Sequence, residues 1–264
     1  MIDEKLIDNV REHGTFSADW QGKAKVLADI GFPTGRKADY AIIMGCVQPE
    51  AMPKTIGSLK VLLDRLQISY TALGKEFRCG WLPFGQPAVM AKNDEDIARS
   101  KELSREFVVG NFRQAEALGA KAIVLFCAAC EPSYANMAGE TSRPAISYSA
   151  LLEQFYSGGR LDMAIDYYPG CYRFRRRITE HALDIEPARR LLGKVHGLQV
   201  NEPDSNLCCF IPPHVEKLNN TFVSRDIVTI CTGCYHNLRR TMKNKEEYRI
   251  WMLPEILLQA LPAL

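Results

Sequence analysis

Nine cysteines carry the clearest chemical signal in this 264-residue chain. Five of them fall in its second half: Cys171, the adjacent pair Cys208 and Cys209, and the Cys-x-x-Cys pair Cys231 and Cys234. Cysteines in such groups are ligands of zinc or of iron–sulfur clusters, and four thiolates satisfy a zinc ion or a cubane cluster. The fifth thiol is therefore either spare or part of a metal–sulfur centre in which one thiolate does more than cap a single iron.

The first half of the chain carries the other four cysteines in a matching order. They are Cys46, Cys79, Cys127 and Cys130, and the last two again form a Cys-x-x-Cys pair. In both halves the cysteine groups come after short apolar runs, either directly or after a loop. Self-similarity of this kind predicts two copies of one supersecondary unit, with a metal-ligand set in each copy.

The apolar runs alternate with helix-favouring segments, which predicts a parallel sheet in each half. We expect strands at 41–44, 68–71, 122–126, 145–148, 164–168, 198–200 and 227–230, and helices at 53–66 and 94–118. The predicted fold is α/β, with two pseudo-symmetric halves that each contain a small parallel sheet with flanking helices. Ligands of open parallel sheets bind beyond the carboxyl ends of the strands, where the cysteines would gather.

Motif repetition divides the chain into an N-terminal extension, residues 1–36, and two halves, residues 37–159 and 160–264. The extension contains one amphipathic helical pattern at 3–12 and has no counterpart in the second half. We expect it to be a flexible or subunit-docking segment.

Bulk properties narrow the class of protein. The net charge of +2 argues against a dedicated nucleic-acid binder. No apolar run reaches the roughly 18 residues that a membrane helix needs, and the first residues are too charged for a signal peptide. We therefore expect a cytoplasmic location, where thiols stay reduced and grouped cysteines are metal ligands rather than disulfides.

The number of thiols in each half helps to distinguish a zinc site from an iron–sulfur cluster. The four cysteines of the first half would suit either a zinc ion or a cluster, but the second half has one thiol more than zinc needs. In a sulfide-containing cluster a thiolate can bridge two irons, so iron–sulfur is the favoured interpretation and zinc the alternative.

Basic residues follow Cys171 at 173 and 175–177, where a helix would begin. Arg173 and its neighbours would either offset the negative charge of a cluster or form an exposed face that docks an acidic partner. Two histidines near the second cysteine set, His214 and His236, would either donate protons or be ordinary surface residues.

From residue 40 to the C-terminus, the pattern of a single Cys, a distant Cys-Cys-Gly and a Cys-x-x-Cys resembles the cysteine-rich CCG domain. The duplicated form is similar to the B subunits of heterodisulfide reductases. Two departures stand out. Arg78 replaces the first cysteine of the pair in the first half, and Phe210 replaces the glycine after Cys208 and Cys209.

The resemblance implies a noncubane [4Fe–4S] cluster on the complete second set, with disulfide–dithiol chemistry at Cys208 and Cys209. Because a guanidinium cannot ligate iron, Arg78 leaves the first set with four thiolates. We predict a cubane [4Fe–4S] cluster there, with zinc as the alternative, and a charge-offsetting role for Arg78.

The resemblance also implies a disulfide or thiol substrate and partner subunits. No G-x-G-x-x-G sequence follows a predicted strand, so electrons would come from a ferredoxin-like iron–sulfur subunit and a flavoprotein. Two alternatives remain: a non-catalytic electron-transfer subunit of a dehydrogenase or quinone-linked complex, and a zinc-stabilised scaffold.

Metal binding should stabilise both halves, because the free energy of binding at such sites is part of the free energy of folding. We predict that chelation or exposure to oxygen lowers the melting temperature of the anaerobically purified protein. Calorimetry of the metal-loaded and metal-free forms measures the change. Equal melting temperatures would remove the metal-site interpretation.

Overall fold

Two four-stranded parallel sheets organise the chain. The first has the order β2-β1-β3-β4 and the second the order β6-β5-β7-β8, so the same topology occurs twice. The strands are β1 (Tyr40–Ile43), β2 (Tyr70–Ala72), β3 (Ala122–Leu125), β4 (Ala145–Ser147), β5 (Gly159–Tyr167), β6 (Val195–Asn201), β7 (Asp226–Thr229) and β8 (Arg249–Met252). The predicted α/β fold with two pseudo-symmetric halves is confirmed.

The computed structural model describes residues 2–16, 21–45, 50–171, 184–203, 206–243 and 245–263. The chain forms two compact units. The first consists of Met1–Glu50 with Ser69–Ile146, and the second of Ala51–Ile68 with Ser147–Leu264. The boundaries placed after residues 36 and 159 rest on motif repetition, which is a different criterion, and they stay a prediction.

Helices flank the strands in both units. The described residues contain α1 (Glu4–His13), α2 (Gly22–Asp29), α3 (Pro53–Arg65), α4 (Gln86–Ala91), α5 (Asp94–Ala117), α6 (Glu131–Ala135), α7 (Tyr148–Phe155), α8 (Glu186–Gly193), α9 (Pro212–Thr221), α10 (Thr232–Thr241) and α11 (Leu253–Ala260). Helix α3 follows β1 in the chain but packs against α11 in the second unit.

Two of the central strands are buried along their whole length, as strands covered by helices on both faces must be. Every residue of β3 and of β7 is buried. Asp226 begins β7 and is compensated there, since it accepts hydrogen bonds from the Arg249 guanidinium at 2.6 Å and from Trp251 Nε1 at 2.8 Å.

The longest helix, α5, has clear start and stop signals. Asn93 caps it by accepting a hydrogen bond from the Asp96 N–H at 3.0 Å, and Gly119, with φ of 74°, follows its end. The equivalent connection in the second unit is shorter, and α9 has 10 residues against 24 in α5. The sequence predicts this difference from the shorter interval before Cys231.

The N-terminal helix is docked in the fold, so the expectation of a flexible extension is wrong, whereas the alternative of a subunit-docking role stays a prediction. Ile7 and Val10 on α1 are completely buried. They pack in one hydrophobic cluster with Phe84, Leu103 and Phe107. The segment is therefore part of the core of the first unit.

The end of the same segment covers the open edge of the first sheet. Thr34 forms a parallel bridge with Ala72 of β2. The Ala72 N–H donates to Pro33 O at 2.8 Å, and the Gly35 N–H donates to Ala72 O at 2.9 Å. Edge groups of β2 that would otherwise be unpaired are thereby satisfied.

Val10→Ala should destabilise the first unit, because it removes two buried methyl groups from the cluster beneath α1. We expect a loss of about 2 kcal/mol in the free energy of unfolding of that unit, measured by hydrogen exchange of the α5 amides. Val61→Ala is the matched control, since Val61 also lies in a helix but is 43% exposed. Equal effects of the two changes would contradict the packing role of α1.

Candidate metal and redox centre

The carboxyl ends of β5, β6 and β7 carry the five cysteines of the second unit. Cys171 follows β5 after Gly170, whose φ of 93° allows the chain to turn away from the strand. The other four follow β6 and β7. All five are buried, with 0–4% of each residue exposed: Cys171, Cys208, Cys209, Cys231 and Cys234. The predicted gathering at one edge of the sheet is therefore observed.

Direct contacts join several of these groups. Cys209 Sγ lies 3.4 Å from Cys234 Sγ, and Asn237 Nδ2 lies 3.8 Å from Cys209 Sγ, within hydrogen-bonding distance for sulfur. The Cys208 N–H donates to His214 Nδ1 at 3.0 Å. Since Nδ1 is an acceptor, the neutral His214 ring carries its proton on Nε2.

The buried residue Tyr168 lies close to several of these cysteines. The Tyr168 hydroxyl donates to Leu207 O at 2.6 Å. Burial raises the pKa of Tyr168 strongly, and nearby thiolate charge raises it further. The contributing residues are Cys234, Cys209, Cys171 and Cys208. Four of the five cysteines therefore act on the same hydroxyl.

The thiols also act on one another. Contact with Cys208 raises the pKa of Cys209, and contact with Cys209 and Cys231 raises the pKa of Cys234. Buried thiolates at this separation repel, so they do not ionise together without a cation. A metal centre supplies the positive charge that allows several of them to bind as thiolates, so the donor set suits one.

Helix α10 begins at the Cys-x-x-Cys sequence and is oriented to favour negative charge there. Cys231 is its N-cap residue, and Cys234 lies in its first turn. The amides of a helix N-terminus stabilise thiolates. A Cβ atom added to Gly233 would lie 3.7 Å from Cys231 Sγ and 3.8 Å from the Phe210 ring, so Phe210 reaches this turn.

The first unit repeats this arrangement with fewer thiols. Cys79, Cys127 and Cys130 are buried beyond β2 and β3, whereas Cys46 lies outside the described residues. Burial raises the pKa of Tyr134, and charge on Cys130 and Cys79 contributes in the same direction. These two cysteines therefore lie near the same hydroxyl.

Arg78 is buried beside this set, with 3% of the residue exposed. Its guanidinium donates to the Gly45 carbonyl oxygen and, at 3.2 Å, to Thr15 Oγ1. The guanidinium carbon lies 5.8 Å from the centroid of the Phe16 ring. A fixed positive charge thus contacts the residue that precedes Cys46. Its charge-offsetting role toward a cluster stays a prediction.

Sequence reasoning missed Glu76, a buried carboxylate that holds the end of β1. Its two oxygens accept hydrogen bonds from the Met44 and Gly45 N–H groups, each at 2.8 Å. Lys23 Nζ also donates to it at 2.8 Å. A single acidic residue in a polar loop gives no signal of this role, because its partners lie 31–53 residues away.

The structure gives less information about the other predicted site residues. Arg173 and the arginines at 175–177 lie outside the described residues. His236 lies on α10 and is 3.4 Å from Arg240 Nη1. Burial and the charges of Arg240 and Arg239 lower the pKa of His236. Among the described residues, the contact of His236 is with Arg240, whereas His214 accepts from the backbone N–H of Cys208.

Two negative findings apply to the described ranges. Within them, no three His, Cys, Asp or Glu side chains stand together as a ready-made site for a metal ion. Among the same residues, no helix has the length and apolar character needed to cross a membrane.

Glu76→Gln should loosen the end of β1, because the neutral amide cannot accept from both amides and from Lys23 at once. We expect a loss of about 3 kcal/mol in the free energy of local opening, measured by hydrogen exchange at Met44 and Gly45. The matched control is Glu106→Gln, which breaks the half-exposed pair with Arg11 and should cost at most about 1 kcal/mol. Unchanged exchange at both amides after Glu76→Gln would refute the clamp.

Two solved structures are weakly similar to this chain in fold, with TM-scores below 0.5. One is an aspartate racemase homologue from Pyrococcus horikoshii, at 13% identity and a TM-score of 0.35, covering 84% of this chain and 96% of that one. Another is a putative Asp/Glu racemase from Yersinia pestis, at 14% identity and a TM-score of 0.36, covering 87% and 97%. Such scores carry no argument about function. No curated protein matches the chain.

A family model gives the informative match. Residues 40–133 match the cysteine-rich domain known as CCG. The matched segment contains all four cysteines of the first set, Cys46, Cys79, Cys127 and Cys130. A domain of this kind supports iron–sulfur binding and a redox role. Over residues 40–133 the chain is therefore similar to the cysteine-rich CCG domain family.

Proposed function

We propose that the chain is the iron–sulfur subunit of a heterodisulfide-reductase-like complex that interconverts a disulfide and two thiols. The observation that carries the proposal is the convergence of five buried cysteines at one sheet edge, where Cys209 Sγ lies 3.4 Å from Cys234 Sγ. A structural zinc ion binds four ligands, so a zinc scaffold would leave one of the five cysteines uncoordinated.

The donor set fits a noncubane [4Fe–4S] cluster held by Cys171, Cys208, Cys209, Cys231 and Cys234. When bound, such a group supplies electrons to the sulfur atoms of a substrate. The protein keeps the surroundings apolar and directs an amide of Asn237 at Cys209 Sγ. Hydrogen bonds to ligating sulfur raise the reduction potential of a cluster, so Asn237 is a tuning residue in this proposal.

The reaction breaks one sulfur–sulfur bond. A disulfide takes up two electrons and two protons and leaves as two thiols, and the reverse reaction releases the same number. The electrons come from a ferredoxin-like iron–sulfur subunit, which receives them from a flavoprotein. The Cys208 N–H donates to His214 Nδ1 at 3.0 Å, which holds the ring beside the cysteine pair, and the two protons come from solvent water.

The first unit supplies a relay in this proposal. Cys46, Cys79, Cys127 and Cys130 would hold a cubane [4Fe–4S] cluster, which would serve as an electron relay. Buried Arg78 offsets part of the negative charge of that cluster, and a cationic neighbour raises a reduction potential.

One observation favours a second function, electron transfer without catalysis. The eight cysteines in the described residues are all buried. Burial suits a cluster that only passes electrons to a dehydrogenase or quinone-linked enzyme, since no substrate has to reach it. In that case the chain reduces no disulfide in any complex, although both clusters are present.

Replacing cysteines of the two sets should separate their roles. Cys209→Ser should abolish reduction of disulfides by the complex, with reduced viologen as donor, and leave the electron paramagnetic resonance signal of the first cluster in place. Cys127→Ser should remove that signal and block electron delivery from the partner subunits.

The controls for this experiment are the wild-type complex and Ser224→Ala, which changes a polar residue of the second unit away from the thiols. Full disulfide turnover after Cys209→Ser would refute the proposed roles. So would two identical noncubane signals in the purified protein.

A further inference from the structure

A cavity of about 560 Å³ ends at Cys209 in the second unit. Residues of α9 and α10 line it, together with the loop that precedes α9. The apolar part of the lining comes from Phe210, Pro213 and Val215. The volume is of the size that proteins use for small organic ligands.

One polar atom in the lining has no hydrogen-bond partner among the residues that the structure describes. It is Asn219 Oδ1, which is buried. A buried acceptor without a donor is unfavourable, and a ligand that donates an N–H or O–H to it recovers the lost free energy. The other amide of the lining, Asn237, is directed at Cys209 Sγ instead.

The charged side chains that line the cavity sum to zero net charge. Its charged residues are Glu216 and Lys243, which form an ion pair with 2.6 Å between Oε1 and Nζ. A carboxylate or phosphate ligand would find no unpaired cation among the described lining residues. The cavity therefore selects for neutral compounds.

We propose that this cavity binds the carbon chain of the substrate, and that the substrate is a neutral thiol or disulfide with an amide N–H near its sulfur. Asn219 accepts a hydrogen bond from that amide, and Phe210, Pro213 and Val215 contact the apolar part. The proposal rests on the disulfide–dithiol function, because that function gives a reason for a cavity to end at Cys209. Phe210 then shapes the site at the position where the family pattern has glycine.

Redox-inert thioethers test the binding step without turnover. N-acetyl-S-methylcysteamine carries the amide N–H, and 2-(methylthio)ethyl acetate has an ester oxygen in its place. 3-(Methylthio)propionate carries a carboxylate. Calorimetry on the anaerobically purified protein should show the amide binding about 10-fold more tightly than the ester, since a site with a buried acceptor rejects the analogue that lacks the donor. The carboxylate should bind more weakly than both.

Two variants and one control assign the effect to the cavity. Asn219→Leu should remove the preference for the amide over the ester. Pro213→Trp should weaken both neutral compounds, because the ring fills the cavity beside α9. Asn220→Leu makes the same change at the next residue, which is exposed and does not line the cavity, and it should leave the preference intact.

Three results would overturn the inference: equal binding of amide and ester to the wild-type protein, tightest binding of the carboxylate, or equal effects of Asn219→Leu and Asn220→Leu. The disulfide function is judged separately, by turnover in the complex and by its loss in Cys209→Ser. Turnover with no amide preference would reject the cavity proposal alone. An amide preference without turnover would reject the disulfide function and with it the identity of the ligand as a substrate.

Discussion

Repulsion between buried thiolates is the interaction on which the second unit depends. Cys209 and Cys234 have sulfur atoms 3.4 Å apart in an environment with almost no exposure to water. Contact with Cys208 raises the pKa of Cys209, and contact with Cys209 and Cys231 raises the pKa of Cys234, so the protein alone favours the protonated thiols. A bound metal would reverse the balance by supplying positive charge, which would make folding and metal binding one linked equilibrium.

The parallel sheet is what creates this concentration of thiols. Strands that run in the same direction end at the same edge, so residues far apart in sequence meet there. The glycines that precede Cys46 and Cys171 share the same backbone conformation, with φ of 90° at Gly45 and 93° at Gly170. The repeat therefore extends from the order of the strands to the turn that delivers the first cysteine of each set.

The residues that stabilise the carboxyl-terminal edge of the sheet differ between the two units. In the first unit, Glu76 holds the end of β1 and Arg78 contacts Gly45, with help from the N-terminal segment through Lys23 and Thr15. Arg78 occupies the position that holds a cysteine in the CCG pattern. The first unit thus combines four cysteines with a buried arginine, whereas the second has five cysteines and a cavity beside one of them.

The strands and the cysteine positions could be predicted because each rests on a local pattern. Strand β3 is a continuous apolar run, whereas β5 begins earlier than predicted, because its first residues include the polar, exposed Arg160 and Asp162, which give no apolar signal. The docking of α1 could not be predicted, since its partners Phe84 and Phe107 lie far along the chain. The role of Glu76 was hidden for the same reason, since its partners lie 31–53 residues away.

The central claim is that two different metal–sulfur centres form on one chain. Mössbauer spectroscopy of the anaerobically purified, iron-57-labelled protein, combined with iron and sulfide analysis, tests it most directly. The account predicts about eight irons and eight sulfides per chain, in two sets of iron sites with different spectra. Zinc in place of iron, or a single set of cubane spectra, would contradict it.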